Sequence, residues 1–431
     1  MYHRHISRIS LLACCFMLMS LLSSCRKESL VIESPNTRRC TTYLEQFEAV
    51  WQGIDHLYVL WERDTVDWDA RYKRFRPVFE AFDARGNNNP VDSAEYHQAW
   101  INATKGLLDR HMGIYLYNPH LKKIFFVRPA SNSYSHQTDY RAQIEVLKRQ
   151  PGISGFVEYY KTPNKFFNSA FCMLPGKISG KKIAYFRFDG FSLTGLVDSQ
   201  FVDKNSLIAP LRAFYGDKYW DGITNGAPNS DEVESIIIDL RGNPGGNAND
   251  IKYLIGCLMQ DDFHYGYSRL KEGLGRLDYT VWNSFWISSP KNHINKVKPI
   301  VVLTDINSVS CSELSTHTLK SLPNVKVIGE RTYGGFCAVV PQTDKLFDVL
   351  YSGCFGDHNL GEDNAMNRIT YPNEFGHFVY CGTFDVVTTD YKSLEGEGVK
   401  PDIEVLYNAS ALASGTDPQL ERALQYLRTG K

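Results

Sequence analysis

The 431-residue chain has no CxxC pair, no internal repeat, no run of eighteen apolar residues and no excess of either charge. Each absence removes a class of function. With 47 basic against 48 acidic residues and a net charge of -1, no global positive field exists to hold nucleic acid. Without paired cysteines, a structural zinc site is not expected. The apolar run 11–22 is too short to cross a bilayer. The pattern GxxxxGK[ST] is missing, and 242-GNPGG-246 does not supply GxGxxG, which argues against a phosphate loop or a dinucleotide fold. What remains is a folded protein. Hydrophobic residues make up 43% and aromatic residues 13%, enough for two or three domains with a sizeable core.

The N-terminus reads as an export signal. Arg4, His5 and Arg8 precede 11-LLACCFMLMSLL-22, and Leu22-Ser23-Ser24-Cys25 resembles the bacterial lipobox, in which the cysteine is lipidated and becomes the mature N-terminus. Cys25 is therefore the expected lipidation site, with 1–25 as signal, 26–39 as tether and the cell envelope as location. An ordinary secretory signal is the alternative. Seven cysteines follow; an oxidising compartment permits disulfides, and the odd count leaves at least one thiol over.

The spacing of apolar residues predicts helices in 43–61, 70–82 and 94–108, followed by a loop and a strand at 109–118, so 40–118 is expected to be a helical domain. Residues 119–180 read as a small β-rich or irregular insert without the glycine-rich carboxylate loop of a PDZ domain. From 181 the pattern alternates. Strands are predicted at 182–188, 234–240, 298–304 and 325–329, and helices at 248–259 and 311–322, a combination that calls for an α/β class with a largely parallel sheet. Further β structure is expected in 346–353 and 377–388, and a helix in 406–431.

Two stretches invite chemistry. In 301-VVLTDINSVSCSEL-314 an apolar strand runs into a loop with serines at 308, 310 and 312, then a helix. A serine at such a junction lies near free backbone N–H groups and the positive end of a helix dipole. It is equally well placed as a helix cap. In 236-IIIDLRGNPGGNAND-250 a buried-looking strand ends in a glycine turn able to present N–H groups to an anion.

Taken in order, IIIDLRGNPGG, SVSCSEL, VIGERTYGG and 395-EGEGVKPDI-403, with 107-LLDRHMG-113 upstream, resemble the tail-specific or C-terminal processing serine peptidases over roughly 181–405. The resemblance implies a crotonase-like core of ββα units. It implies that Ser310, the first serine of Ser-x-Ser-Glu, is the nucleophile, and that backbone N–H groups of Cys311 and of Gly245 or Gly246 form the oxyanion hole. Ser312 and Glu313 then start the helix, Cys311 is a packed side chain, and Asp239 and Arg241 brace the glycine turn. No cofactor and no metal are implied.

The departure from the family lies at Thr332-Tyr333-Gly334-Gly335-Phe336. Where the bacterial processing branch carries its catalytic lysine, this chain has Gly335. The tricorn-like branch uses an upstream histidine instead, and Asp109-Arg110-His111 resembles its Asp-x-His segment. The resemblance makes His111 the base and Glu395 its orienting acid, with Glu397 second and Asp109 less suited. His97, His317, His358 and His377 have no partner spacing that suggests chemistry. The expectation is a lipid-anchored endopeptidase acting on extended or unfolded polypeptides through Ser310, His111 and Glu395. The rival is a catalytically silent binding protein on the same scaffold, which the missing lysine makes credible.

Overall fold

The computed structural model describes residues 39–431 except 86–88, 131–134, 161–166, 199–202, 222, 274, 291–295, 340–353 and 362–364. The export signal, most of the tether and the strand expected at 346–353 lie outside the described residues. No described helix is long and apolar enough to cross a membrane.

Three helices come first: α1 (Tyr43–Leu57), α2 (Trp68–Asp83) and α3 (Ser93–Thr104). Each starts on a side-chain cap, from Thr42, Asp67 and Asp92 respectively, which satisfies N–H groups that a helix start leaves open. Their apolar faces close over Phe47, which stacks on Phe79 with centroids 4.6 Å apart, and over Trp100. This core continues onto β1 (Gly113–Asn118) and β2 (Lys123–Val127). The helical region therefore holds the segment 109–112, which leads into β1.

The main sheet has seven strands in the order β14-β10-β9-β6-β5-β4-β3. They are β3 (Ser154–Tyr159), β4 (Ser169–Pro175), β5 (Lys182–Phe188), β6 (Val233–Asp239), β9 (Ile300–Thr304), β10 (Val325–Gly329) and β14 (Ile403–Glu404). From β5 to β14 the pairings are parallel; β3 and β4 join antiparallel. Alternate residues of β6 and β9 enter different cores. Ile236, Ile238, Ile300 and Val302 pack with α5 (Lys204–Tyr215), while Ile237, Val301 and Leu303 pack with α4 (Tyr140–Lys148) and α7 (Pro418–Thr429). Coverage of both faces explains why these strands are apolar at nearly every position.

Two smaller antiparallel sheets flank this one. One has the order β11-β12-β1-β2, with β11 at Phe355–Gly356 and β12 at Gly376–Tyr380; the other has the order β13-β7-β8, with β7 at Phe263–Leu270, β8 at Asn283–Ile287 and β13 at Phe384–Thr388.

Three expectations take a different form. Residues 119–180, read as a small β-rich or irregular insert, do hold strands, but they are no separate unit: β3 and β4 join the main sheet and β2 a smaller one. The helix expected at 248–259 is reduced to one α turn, Ile251–Leu254, between 3-10 turns. Its continuation fails at Gly256, where a Cβ would lie 2.3 Å from the Ser288 carbonyl oxygen; the chain there serves a close approach to the end of β8. The run 377–388 splits into β12 and β13, which belong to different sheets.

Candidate active site

Parallel strands β6 and β9 lie side by side, with Asp239 opposite Leu303, and their carboxyl ends release the glycine turn and the serine loop together. Ligand sites of open α/β sheets form at such ends. Ser310 has φ 59°, a left-handed conformation that few non-glycine residues adopt, and it caps α6 (Cys311–Lys320). Its N–H donates to Glu313 Oε2 at 3.0 Å.

Glu313 is fully buried and does more than start the helix. Oε1 accepts from Thr332 Oγ1 and Gly334 N–H, both at 2.6 Å, and Oε2 accepts from Gly335 N–H at 2.7 Å. One carboxylate thus joins the serine turn to the loop 332–335. Burial pushes it up to about 7 despite these donors. Ser308 is also structural: its hydroxyl donates to the Leu240 carbonyl at 2.9 Å.

The glycine turn presses directly on the serine. Gly245 has φ +94°, and a Cβ there would lie 2.6 Å from Ser310 Cβ and 2.9 Å from the Cys311 nitrogen. The Gly245 N–H donates to Asn243 Oδ1 at 2.9 Å and is therefore engaged, which leaves Gly246 and Cys311 as the amides for an oxyanion. The Cys311 thiol is buried against the Gly246 carbonyl at 3.1 Å, and burial raises it to about 12, so it is no nucleophile. Gly245→Ala should reduce any Ser310-dependent turnover by about 10²-fold or more, because the added methyl would push Ser310 and the Cys311 amide out of place, at a cost on the scale of a lost oxyanion donor. Comparing kcat of the two proteins with unfolding curves checks that the loss is local.

Behind the turn, Arg241 is buried with Asp239 and Asp417. Its Nη1 donates to both Asp417 oxygens at 2.9 Å and its Nη2 to Asp239 Oδ2 at 2.6 Å. Gly242 N–H donates to Asp305 Oδ1 at 2.9 Å. Asp239 and Arg241 brace the turn and lie away from the serine's immediate surroundings, and the brace draws on the C-terminal α7.

His111 arrives from the other core. Its N–H donates to Asp109 Oδ1 at 2.7 Å, and Gly382 N–H donates to Asp109 Oδ2 at 2.7 Å. Glu395 accepts from Arg110 N–H at 2.8 Å, Phe336 N–H at 2.5 Å and Cys337 N–H at 2.8 Å. One atom each from Asp109, His111 and Glu395 fall within 4.8 Å of one another. Asp109 thus stands in the same cluster as Glu395, although sequence adjacency argued against it. Glu397 stands apart, in an exposed ion pair with Lys392 at 3.2 Å.

The imidazole occupies the place beside Gly335. A Cβ on Gly335 would lie 3.1 Å from His111 Cε1 and 3.2 Å from Val309 Cγ1, so the ring and the neighbour of Ser310 pack on one glycine. Neither ring nitrogen has a hydrogen-bond partner among the described residues, Ser310 included. Burial lowers the ring to about 4, with the Arg128 guanidinium a lesser cause. Burial raises Asp109 to about 6 and Glu395 to about 8; for Glu395 the nearby Asp109 charge adds to it. The other histidines lie elsewhere: His317 packs on Tyr265, with centroids 5.0 Å apart, and His97 Nε2 lies 2.9 Å from the Phe126 carbonyl oxygen.

The site thus sets a serine in a left-handed strand-to-helix turn beside a glycine turn, with an imidazole and two carboxyls gathered across Gly335, on a mixed α/β fold. Residues 211–405 match the model of peptidase family S41. The chain is 28% identical to carboxy-terminal processing protease CtpB of Bacillus subtilis over 103 residues, 24% of this chain and 19% of CtpB. It is 25% identical to tricorn protease of Thermoplasma acidophilum over 199 residues, 46% of this chain and 14% of tricorn. It is 28% identical to the nisin-resistance protein of Lactococcus lactis subsp. lactis over 155 residues, 34% of this chain and 48% of that protein. These alignments span less than half the length of each relative. Among solved structures, a protein from Parabacteroides merdae described as a peptidase superposes with TM-score 0.58 at 20% identity, covering 90% of this chain and 98% of that one. Mature CPAF complexed with lactacystin gives 0.55 at 11% identity, covering 91% and 99%. These likenesses concern the fold.

Proposed function

We propose that this chain is a serine-type endopeptidase in which Ser310 attacks the peptide carbonyl and His111 takes its proton and returns it to the leaving amine. The observation that carries the reading is the unengaged, buried imidazole of His111 against Gly335, where the lysine-dependent branch keeps its base. Cys311 and Gly246 N–H groups would hold the tetrahedral oxyanion. Asp109 and Glu395 crowd each other, so at neutral pH the pair retains about one proton and one negative charge. That charge would stabilise the imidazolium as it forms. In the apo site the serine and the ring are not yet hydrogen-bonded; such contacts commonly tighten on substrate binding.

The substrate class we infer is extended or unfolded polypeptide. The location we infer is the cell envelope, through a lipid on Cys25, supported by the Leu22-Ser23-Ser24-Cys25 pattern. The test is to incubate the full chain with an unfolded protein. Cleavage by the native chain and its loss in Ser310→Ala are expected; equal cleavage by both would overturn the proposal. No cleavage and no reaction with serine-directed reagents would leave the silent binding protein.

The depressed basicity of His111 also sets a pH profile. The ring must be neutral to act, and it stays neutral down to about pH 4. The ring should therefore stay competent below the usual histidine range near 6.5 and fail as pH drops through about 4, after an earlier partial decline near pH 6 where the Asp109–Glu395 pair takes up its second proton. Arg128→Gln should move that acid limb upward in a pH series of kcat/KM.

A further inference from the structure

The cluster around His111 combines three features that proton transfer alone does not require. Two buried carboxylates lie together, held by backbone N–H donors from Arg110, His111, Phe336, Cys337 and Gly382. They lie beside an imidazole whose two ring nitrogens are both buried and without a partner among the described residues. One nitrogen and two carboxylate oxygens come within 4.8 Å of one another. Backbone N–H bonds leave each carboxylate further lone pairs, and a divalent cation placed between the two acids would take the place of the proton that the pair otherwise holds at neutral pH.

We propose that Asp109, His111 and Glu395 form a binding site for a zinc-class divalent cation, and that the bound ion silences the serine site by occupying the imidazole lone pair. One nitrogen and two oxygens suit zinc, with a fourth position open to water. Zinc holds such atoms at about 2.0–2.2 Å, so tetrahedral ligands lie about 3.4 Å apart. The three residues reach the cluster from two distant parts of the chain, 109–111 and 395, so no sequence spacing announces them. Binding does not depend on the peptidase reading; silencing does.

The experiment titrates zinc chloride into the metal-free full chain against a competing chelating dye, beside Ser310→Ala, His111→Ala, Glu395→Gln and Glu397→Gln. One zinc per chain is expected for the native protein, Ser310→Ala and Glu397→Gln. Affinity should fall about 10- to 100-fold or more in His111→Ala and Glu395→Gln. Zinc should also raise the unfolding temperature of Ser310→Ala but not of His111→Ala, which separates ligand loss from misfolding. Absence of stoichiometric binding, or binding that survives both cluster substitutions, would overturn the site. Cleavage by the native chain in chelator reports separately on the peptidase reading, and its inhibition by zinc, reversed by chelator, reports on silencing.

Discussion

His111→Ala is expected to lower kcat/KM for peptide hydrolysis by about 10²- to 10⁴-fold, the scale on which a positioned general base contributes. The lysines that the sequence offers nearby do not substitute for it. Lys320 is committed to the Lys400 carbonyl at 2.5 Å and to Asp402 at 3.4 Å, and Lys326 lies on β10. The effect should appear mainly in kcat, because the proton taken from Ser310 is an interaction of the transition state and not of substrate binding. Circular dichroism and urea unfolding should change little, since the ring nitrogens make no hydrogen bond whose loss would leave a partner stranded. A drop of less than tenfold would mean that the proton leaves Ser310 by another route.

Asp417→Ala is expected to destabilise the protein by about 3 kcal/mol, the cost of leaving a buried guanidinium short of its partner. Asp417 gives both carboxylate oxygens to Arg241 Nη1 and also caps α7 through Leu420 N–H at 3.2 Å. The cap adds about 1 kcal/mol. Asp239 and Gln419 still hold Arg241, which keeps the loss below that of a fully orphaned charge. Because Arg241 braces the glycine turn, activity should fall at temperatures below the unfolding midpoint. A shift of the urea midpoint with unchanged m-value measures the stability part.

The core of the fold was legible because its strands are covered on both faces. Val233–Asp239 and Ile300–Thr304 show as apolar runs, and each ends in residues that only a turn accommodates. Ser310 was legible for the same reason, since strand, small polar loop and helix follow in order. The role of Glu313 was not: a first-turn acid signals a helix start, and nothing local says that its carboxylate also clamps Thr332, Gly334 and Gly335. The pattern Ser310-x-x-Glu313 was the available clue. Asp109 was less suited on sequence because side chains close together in a strand or loop often diverge, whereas here the chain turns before β1 and Asp109 accepts from both His111 N–H and Gly382 N–H. The place of β3 and β4 in the main sheet was not legible, because it is set by tertiary pairing with β5 and not by their own weak alternation. The substitution of Gly335 for a lysine read as a loss in the sequence; in the structure the vacated volume borders the imidazole of His111.

The most direct test of the central claim is covalent labelling of the full chain by a serine-reactive phosphonate, with the modified residue mapped by mass spectrometry. The account predicts a single adduct on Ser310, abolished in Ser310→Ala and slowed at least a hundredfold, on the order expected for loss of the base, in His111→Ala. Labelling of Ser310 at an undiminished rate without the imidazole, or no labelling in the native chain, would contradict it.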